Sequence, residues 1–222
     1  MDRTEPSDAS APESLLTRIA KLGVDSRAAS LLQGSAAAVQ QHAISGRRGL
    51  AVCAAAKGAG VSFVTAGLAL TVAQSGLRTL VIDANLRAPA LADMIPPPST
   101  PSHGLLQYLR GELDDPSALV QADVEYNLSA IYAGGAGEDV QDLFDTERFE
   151  QVMQYALRTY DLTLIDTPPA NRCAETRRIA AVAGYAVLVA RRDVTMADDL
   201  GTLIKDLRLD RTEVIGSIFN EG

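Results

Sequence analysis

Six short apolar runs constrain this chain more than any other feature: Leu50–Ala54, Thr79–Ala84, Leu128–Tyr132, Leu162–Asp166, Ala186–Ala190 and Val214–Phe219. Each has the length of a strand and lacks polar alternation, so each must be covered on both faces. Between them lie stretches of helical character near Ser62–Gln74, Leu105–Leu109, Thr146–Tyr160, Ala174–Val182 and Met196–Leu207. Buried strands alternating with amphipathic helices predict an α/β fold, a doubly wound and mostly parallel sheet with helices on both faces. Ligands of such sheets gather at the carboxyl ends of the strands, which is where chemistry is to be sought. The Pro-rich stretch Pro96–Pro101 breaks the pattern and reads as an exposed loop.

The segment ahead of the first run is different. Residues 1–13 carry Pro, Ser, Asp and Glu with almost nothing to bury, and read as a disordered tail. Residues 14–48 read as N-terminal helices and 49–222 as the main domain. Leu15, Leu16, Ile19 and Leu22 form one stripe closed by Gly23, a helix that packs on the domain edge or docks a partner. A second, Ala-rich helix is expected from Ser26 to His42. A formal charge of −8 without a basic run argues against nucleic acid or an anionic membrane surface as partner. Cys53 and Cys173 stand far apart in apolar company, which fits neither a disulfide framework nor a zinc ligand set. The polar, acidic opening is unlike a secretory signal, and the longest apolar stretch, Ala180–Ala190, is about half a membrane span. The expectation is a cytoplasmic domain with no direct membrane insertion.

Three strand ends carry the candidate chemistry. The first run continues into Ala54-Ala-Ala-Lys57-Gly58-Ala59-Gly60-Val61-Ser62 and then a helix. A strand, a turn of small residues and a helix start are what a phosphate-binding loop needs, because backbone N–H groups then converge on phosphate oxygens. Ser62 is placed to hold magnesium. The Lys that precedes such a Ser is Val61 here. The second run ends at Asp83 and the fourth at Asp166, each a carboxylate at the end of a buried strand, which is costly without a partner or a metal. Together they read as a nucleotide and magnesium site: Lys57, Gly58, Ala59, Gly60 and Ser62 toward phosphates, and Ser62, Asp83 and Asp166 toward the metal.

The run from Leu50 to Asn220, about three quarters of the chain, resembles the bacterial tyrosine kinase family. These are P-loop ATPase domains related to the cell-division and chromosome-partitioning ATPases. The carriers are Val81-Ile-Asp83-Ala-Asn-Leu-Arg87-Ala-Pro89, Gly104-Leu-Leu-Gln-Tyr-Leu-Arg-Gly111, Asp142-Leu-Phe144 followed by Phe149, Tyr160-Asp161 through Asp166-Thr-Pro-Pro169, Val189-Ala-Arg191 with Thr195, and Gly216-Ser-Ile-Phe-Asn220. The resemblance implies ATP or ADP with Mg as cofactor, Asp83 and Asp166 as the catalytic carboxylates of an active member, and Asn220 as the reader of the adenine ring. It also implies a role in capsule or exopolysaccharide synthesis, beside the cytoplasmic part of an inner-membrane polysaccharide co-polymerase that controls chain length.

The departures are equally concrete. Val61 removes the cation that neutralises charge during phosphoryl transfer. Asn85 stands where the family's second motif has a further acid, and only Glu221 and Gly222 follow Asn220, where such kinases carry a tyrosine-rich tail. The six tyrosines are scattered and mostly read as packing residues. The Glu and Arg repeat of ring-forming members is absent from Arg27–Gln33, which leaves a homo-oligomer open. Lys57, four residues before Val61, reads either as a replacement cation or as a solvated loop lysine. Glu175, where the family often has Asp, is equally explained as a solvated helix start. Two functions follow: a regulatory, pseudokinase-type partner in polysaccharide polymerisation and export, its nucleotide binding weakened or lost, or an active ATP-dependent tyrosine autokinase with an altered loop. A partitioning ATPase is the least favoured, given the acidic charge.

Overall fold

The computed structural model describes residues 26–221; the expected tail and the helix from Ser14 lie outside the described residues. All six expected strands form, within a residue or two of their expected bounds: β1 (Gly49–Cys53), β2 (Thr79–Asp83), β4 (Leu128–Ile131), β5 (Leu162–Asp166), β6 (Tyr185–Arg191) and β7 (Glu213–Asn220). A seventh, β3 (Gln121–Glu125), was not expected. It pairs antiparallel with β4, whereas every other pairing is parallel, in the order β3-β4-β2-β5-β1-β6-β7.

Helices cover both faces because β1, β2, β4 and β5 are buried along their whole length. On one face lie α1 (Ser26–Ile44), α2 (Val61–Gln74) and the short α3 (Leu91–Met94). On the other lie α4 (Leu105–Leu109), α5 (Glu147–Thr159), α6 (Glu175–Ala183) and α7 (Ala197–Leu209). Helix α2 is apolar nearly all round, from Val64 to Ala73, because it is sandwiched between the sheet and α1. Gly67 makes that sandwich close: a Cβ there would meet Leu32 Cδ1 at 2.9 Å.

The opposite layer rests on aromatic packing. Phe149 of α5 is fully buried and meets Phe144 edge-on, with ring centroids 5.1 Å apart. Phe149→Ala is expected to cost about 3–5 kcal/mol, read as a lower urea midpoint with an unchanged slope. Among the described residues no helix is long and apolar enough to cross a membrane.

Candidate nucleotide site

The strand order builds the site. Because β5 lies between β1 and β2, the loops after these three strands emerge side by side at one edge of the sheet. They enclose a cleft of about 530 Å³, walled by Ala56–Phe63 after β1, Asn85, Arg87, Ala88 and Ala90 after β2, and Thr167, Pro169, Arg172 and Cys173 after β5.

The loop after β1 has the backbone of a phosphate cradle. Gly58 and Gly60 take left-handed conformations, φ 84° and 92°, which suit glycine and bend the chain back into α2. The first helical bond of α2 runs from Val64 N–H to the Gly60 carbonyl, so the amides of Val61, Ser62 and Phe63 precede the helical ladder. The loop's carbonyls are tied from outside. Asn220 Nδ2 donates to the Ala59 carbonyl at 3.0 Å, and Arg191 Nη1 to the Gly58 carbonyl at 3.0 Å. With carbonyls held outward, the amides are left for an anion. A Cβ on Gly60 would lie 2.5 Å from Asn220 Nδ2. Gly60→Ala is therefore expected to lower stability by about 1–2 kcal/mol and to release Asn220 from Ala59, measured by denaturation and by the Asn220 side-chain amide resonance.

Asp83 and Asp166 sit level with each other on neighbouring strands. Asp83 is buried, yet its carboxylate accepts from the N–H groups of Asn85, Ala90 and Leu91, each at 3.2 Å. Burial outweighs these bonds and pushes its pKa up to about 6. Asp166 is fully buried and neither oxygen finds a hydrogen-bond partner. Desolvation, and then the neighbouring Asp83, raise its pKa well above the usual carboxylate range; the Ser62 hydroxyl pulls the other way without making a well-formed bond. A buried carboxylate pair, one member of it orphaned, beside a loop of free amides fits a divalent cation with phosphates. Ser62, Asp83 and Asp166 are the residues that would hold Mg, directly or through water.

The far wall was not legible in the sequence. Glu175, expected as a solvated helix start, is 1% exposed and accepts from Arg87 Nε at 2.6 Å, while Arg87 Nη1 donates to the Glu138 carbonyl at 2.7 Å. The reason is the partner: Arg87 arrives from β2, so helix α6 can begin buried. Cys173 lies in the same wall, and burial pushes its thiol pKa up. The loop after β5 is fixed to the phosphate loop by Ala170 N–H to the Ala54 carbonyl (2.9 Å) and Asn171 N–H to the Ala55 carbonyl (3.0 Å).

All the expected site residues come together. Lys57 to Ser62 line the cleft, Asp83 and Asp166 end the two neighbouring strands whose loops wall it, and Asn220 reaches the loop from the end of β7. Val61 and Phe63 form part of the wall as half-buried groups, and the cleft stays open beside them. Missed altogether was Arg172, exposed on the cleft rim. Its only signal was a basic residue three positions after the Pro168-Pro169 pair.

This is the fold and loop arrangement of a P-loop ATPase. The MinD septum site-determining protein of Pyrococcus horikoshii, complexed with Mg-ADP, shares the fold at a TM-score of 0.64 and 17% identity, over 77% of this chain and 68% of that one. Closer likeness narrows the class. The BceF tyrosine kinase domain superposes at a TM-score of 0.76 with 27% identity, covering 87% of this chain and 77% of that one. EpsB of Ralstonia solanacearum is 34% identical over 163 residues, 73% of this chain and 21% of its own length. ExoP of Rhizobium meliloti, a succinoglycan biosynthesis transport protein, is 28% identical over 185 residues, 82% of this chain and 23% of its own. The tyrosine-protein kinase Etk of Escherichia coli K12 is 28% identical over 171 residues, 77% of this chain and 23% of its own. No protein-family model matches. The relatives and closer structural neighbours it resembles are bacterial tyrosine kinases, and the chain spans about a fifth of the length of EpsB, ExoP and Etk.

Proposed function

We propose that this chain is a nucleotide-binding regulatory member of the bacterial tyrosine kinase family that no longer transfers the phosphoryl group, and that it serves polysaccharide polymerisation and export. The observation that carries this reading is Val61. The cradle, Ser62 and the two carboxylates are assembled, but the loop position that stabilises charge on the transferring phosphoryl is a valine. Binding draws on backbone amides and Mg, whereas transfer depends on added positive charge at the γ-phosphate. When bound, Mg neutralises phosphate charge; Gly58–Ser62 orient the phosphates, and Asp83 and Asp166 fix the ion. The role in polysaccharide production rests on relatives such as ExoP. The partner consistent with it is the cytoplasmic part of an inner-membrane co-polymerase, with this domain on the cytoplasmic side.

Among the described residues Tyr126, on the turn between β3 and β4, is the one largely exposed tyrosine, at 70%. It is thus the acceptor an active autokinase would use. The experiment is calorimetric titration with ATP, with and without Mg, followed by mass spectrometry of Tyr126. Micromolar, Mg-dependent binding with unmodified Tyr126 is expected. Stoichiometric phosphotyrosine would favour the autokinase reading, and no heat at millimolar ATP would remove the nucleotide.

A further inference from the structure

The cleft's charge runs against that of the chain. The protein carries a net −8, yet among the described residues that line the cleft there is no Asp or Glu, while Lys57, Arg87 and Arg172 all line it. Arg87 is already matched by Glu175 and the Glu138 carbonyl. Lys57 and Arg172 form no ion pair among the described residues, although eight close acid–base pairs hold arginines elsewhere in the fold. An exposed arginine left unpaired in an acidic protein, on the rim of a cleft whose lining residues include no carboxylate, is placed for an anion.

We infer that Arg172 is the phosphate-binding cation of this cleft, standing in from the β5 side for the lysine that Val61 replaces. The inference rests on the nucleotide reading of the cleft. Its base is rigid relative to the cradle. Ala170 and Asn171 bond the carbonyls of Ala54 and Ala55 on the phosphate loop, and Arg172 N–H closes a turn on the Pro169 carbonyl at 3.2 Å. Thr176 Oγ1 pins the same turn through the Pro168 carbonyl at 2.7 Å. A guanidinium held on such a base meets phosphate oxygens in pairs, at less entropic cost than a flexible ammonium. Lys57, exposed on the outer turn before Gly58, offers only such a flexible ammonium. A cation approaching from the rim also suits binding without transfer, since it does not ride on the loop that follows the γ-phosphate.

The test is calorimetric titration of Mg-ADP, Mg-ATP and adenosine into the wild-type chain, Arg172→Gln, and Arg172→Gln with Val61→Lys. Circular dichroism melts check that the exposed substitution leaves the fold intact. Arg172→Gln is expected to weaken both nucleotides about tenfold or more and leave adenosine unchanged, with a shallower salt dependence. Val61→Lys is expected to recover most of that loss. Wild-type nucleotide affinity in Arg172→Gln would overturn the inference alone. Equal loss of adenosine would reduce Arg172 to a structural residue. Failure of the wild-type chain to bind any nucleotide would instead overturn the reading on which the inference rests.

Discussion

Asp166→Asn makes the metal-free protein more stable at pH 8, and the wild-type protein loses stability as pH rises from about 4 to above 6. Both carboxylates of the pair have pKa values raised in the folded state by burial, Asp83 to about 6 and Asp166 well beyond the ordinary range, the latter raised further by the neighbouring Asp83. A raised carboxyl pKa means that the folded chain holds more protons than the unfolded one in this window. Stability is therefore fully present below the unfolded value and falls as pH rises through the folded ones. The loss is on the order of 3 kcal/mol for a shift like that of Asp83. Asparagine at 166 removes a titrating carboxyl from a fully buried site whose oxygens have no partner, so the slope flattens and the midpoint at pH 8 rises. Saturating Mg with nucleotide should also flatten it, because cation binding replaces the protons. Urea denaturation at half-unit pH steps reads all three. A wild-type stability that rises through this window would contradict the account of the pair.

Arg87→Met is the second large effect. Glu175 is 1% exposed, and its Oε1 has the Arg87 guanidinium at 2.6 Å, while Oε2 already lacks a partner. Removing the arginine leaves a carboxylate with no compensation, a loss of about 3–5 kcal/mol for a fully buried pair. Arg87 is itself 35% exposed, so about 2–3 kcal/mol is expected here. The double variant Arg87→Met with Glu175→Gln should recover most of it, since the charge is then gone as well. A double-mutant cycle by chemical denaturation gives the coupling energy. Additive losses would show that the pair contributes nothing beyond its separate packing.

How much of this was readable beforehand depends on what each residue must do locally. The six buried strands were legible because burial on both faces forces an unbroken apolar run, as in Leu80-Val-Ile82 and Leu50-Ala-Val-Cys53. Strand β3 was not: Gln121-Ala-Asp-Val-Glu125 is a largely exposed edge with Asp123 at φ 51°, and the pairing with β4 alone makes it a strand. The phosphate loop was legible because its glycines and Ser62 are adjacent in sequence. Glu175 was illegible because its partner lies 88 residues away. His42 shows the same limit. Its burial against the edge of the Tyr185 ring, at 4.6 Å between centroids, exists only once α1 lies across β6. Arg172 needed the sheet order, since only the placement of β5 between β1 and β2 brings its loop against the cradle.

The proposed site binds nucleotide without turning it over. The most direct measurement of this is the fate of ATP held by the wild-type chain with Mg, sampled over hours for ADP and phosphotyrosine. Bound nucleotide is expected to be recovered as ATP, with Tyr126 unmodified. Turnover at about one per second, the ordinary scale of a kinase, would contradict it.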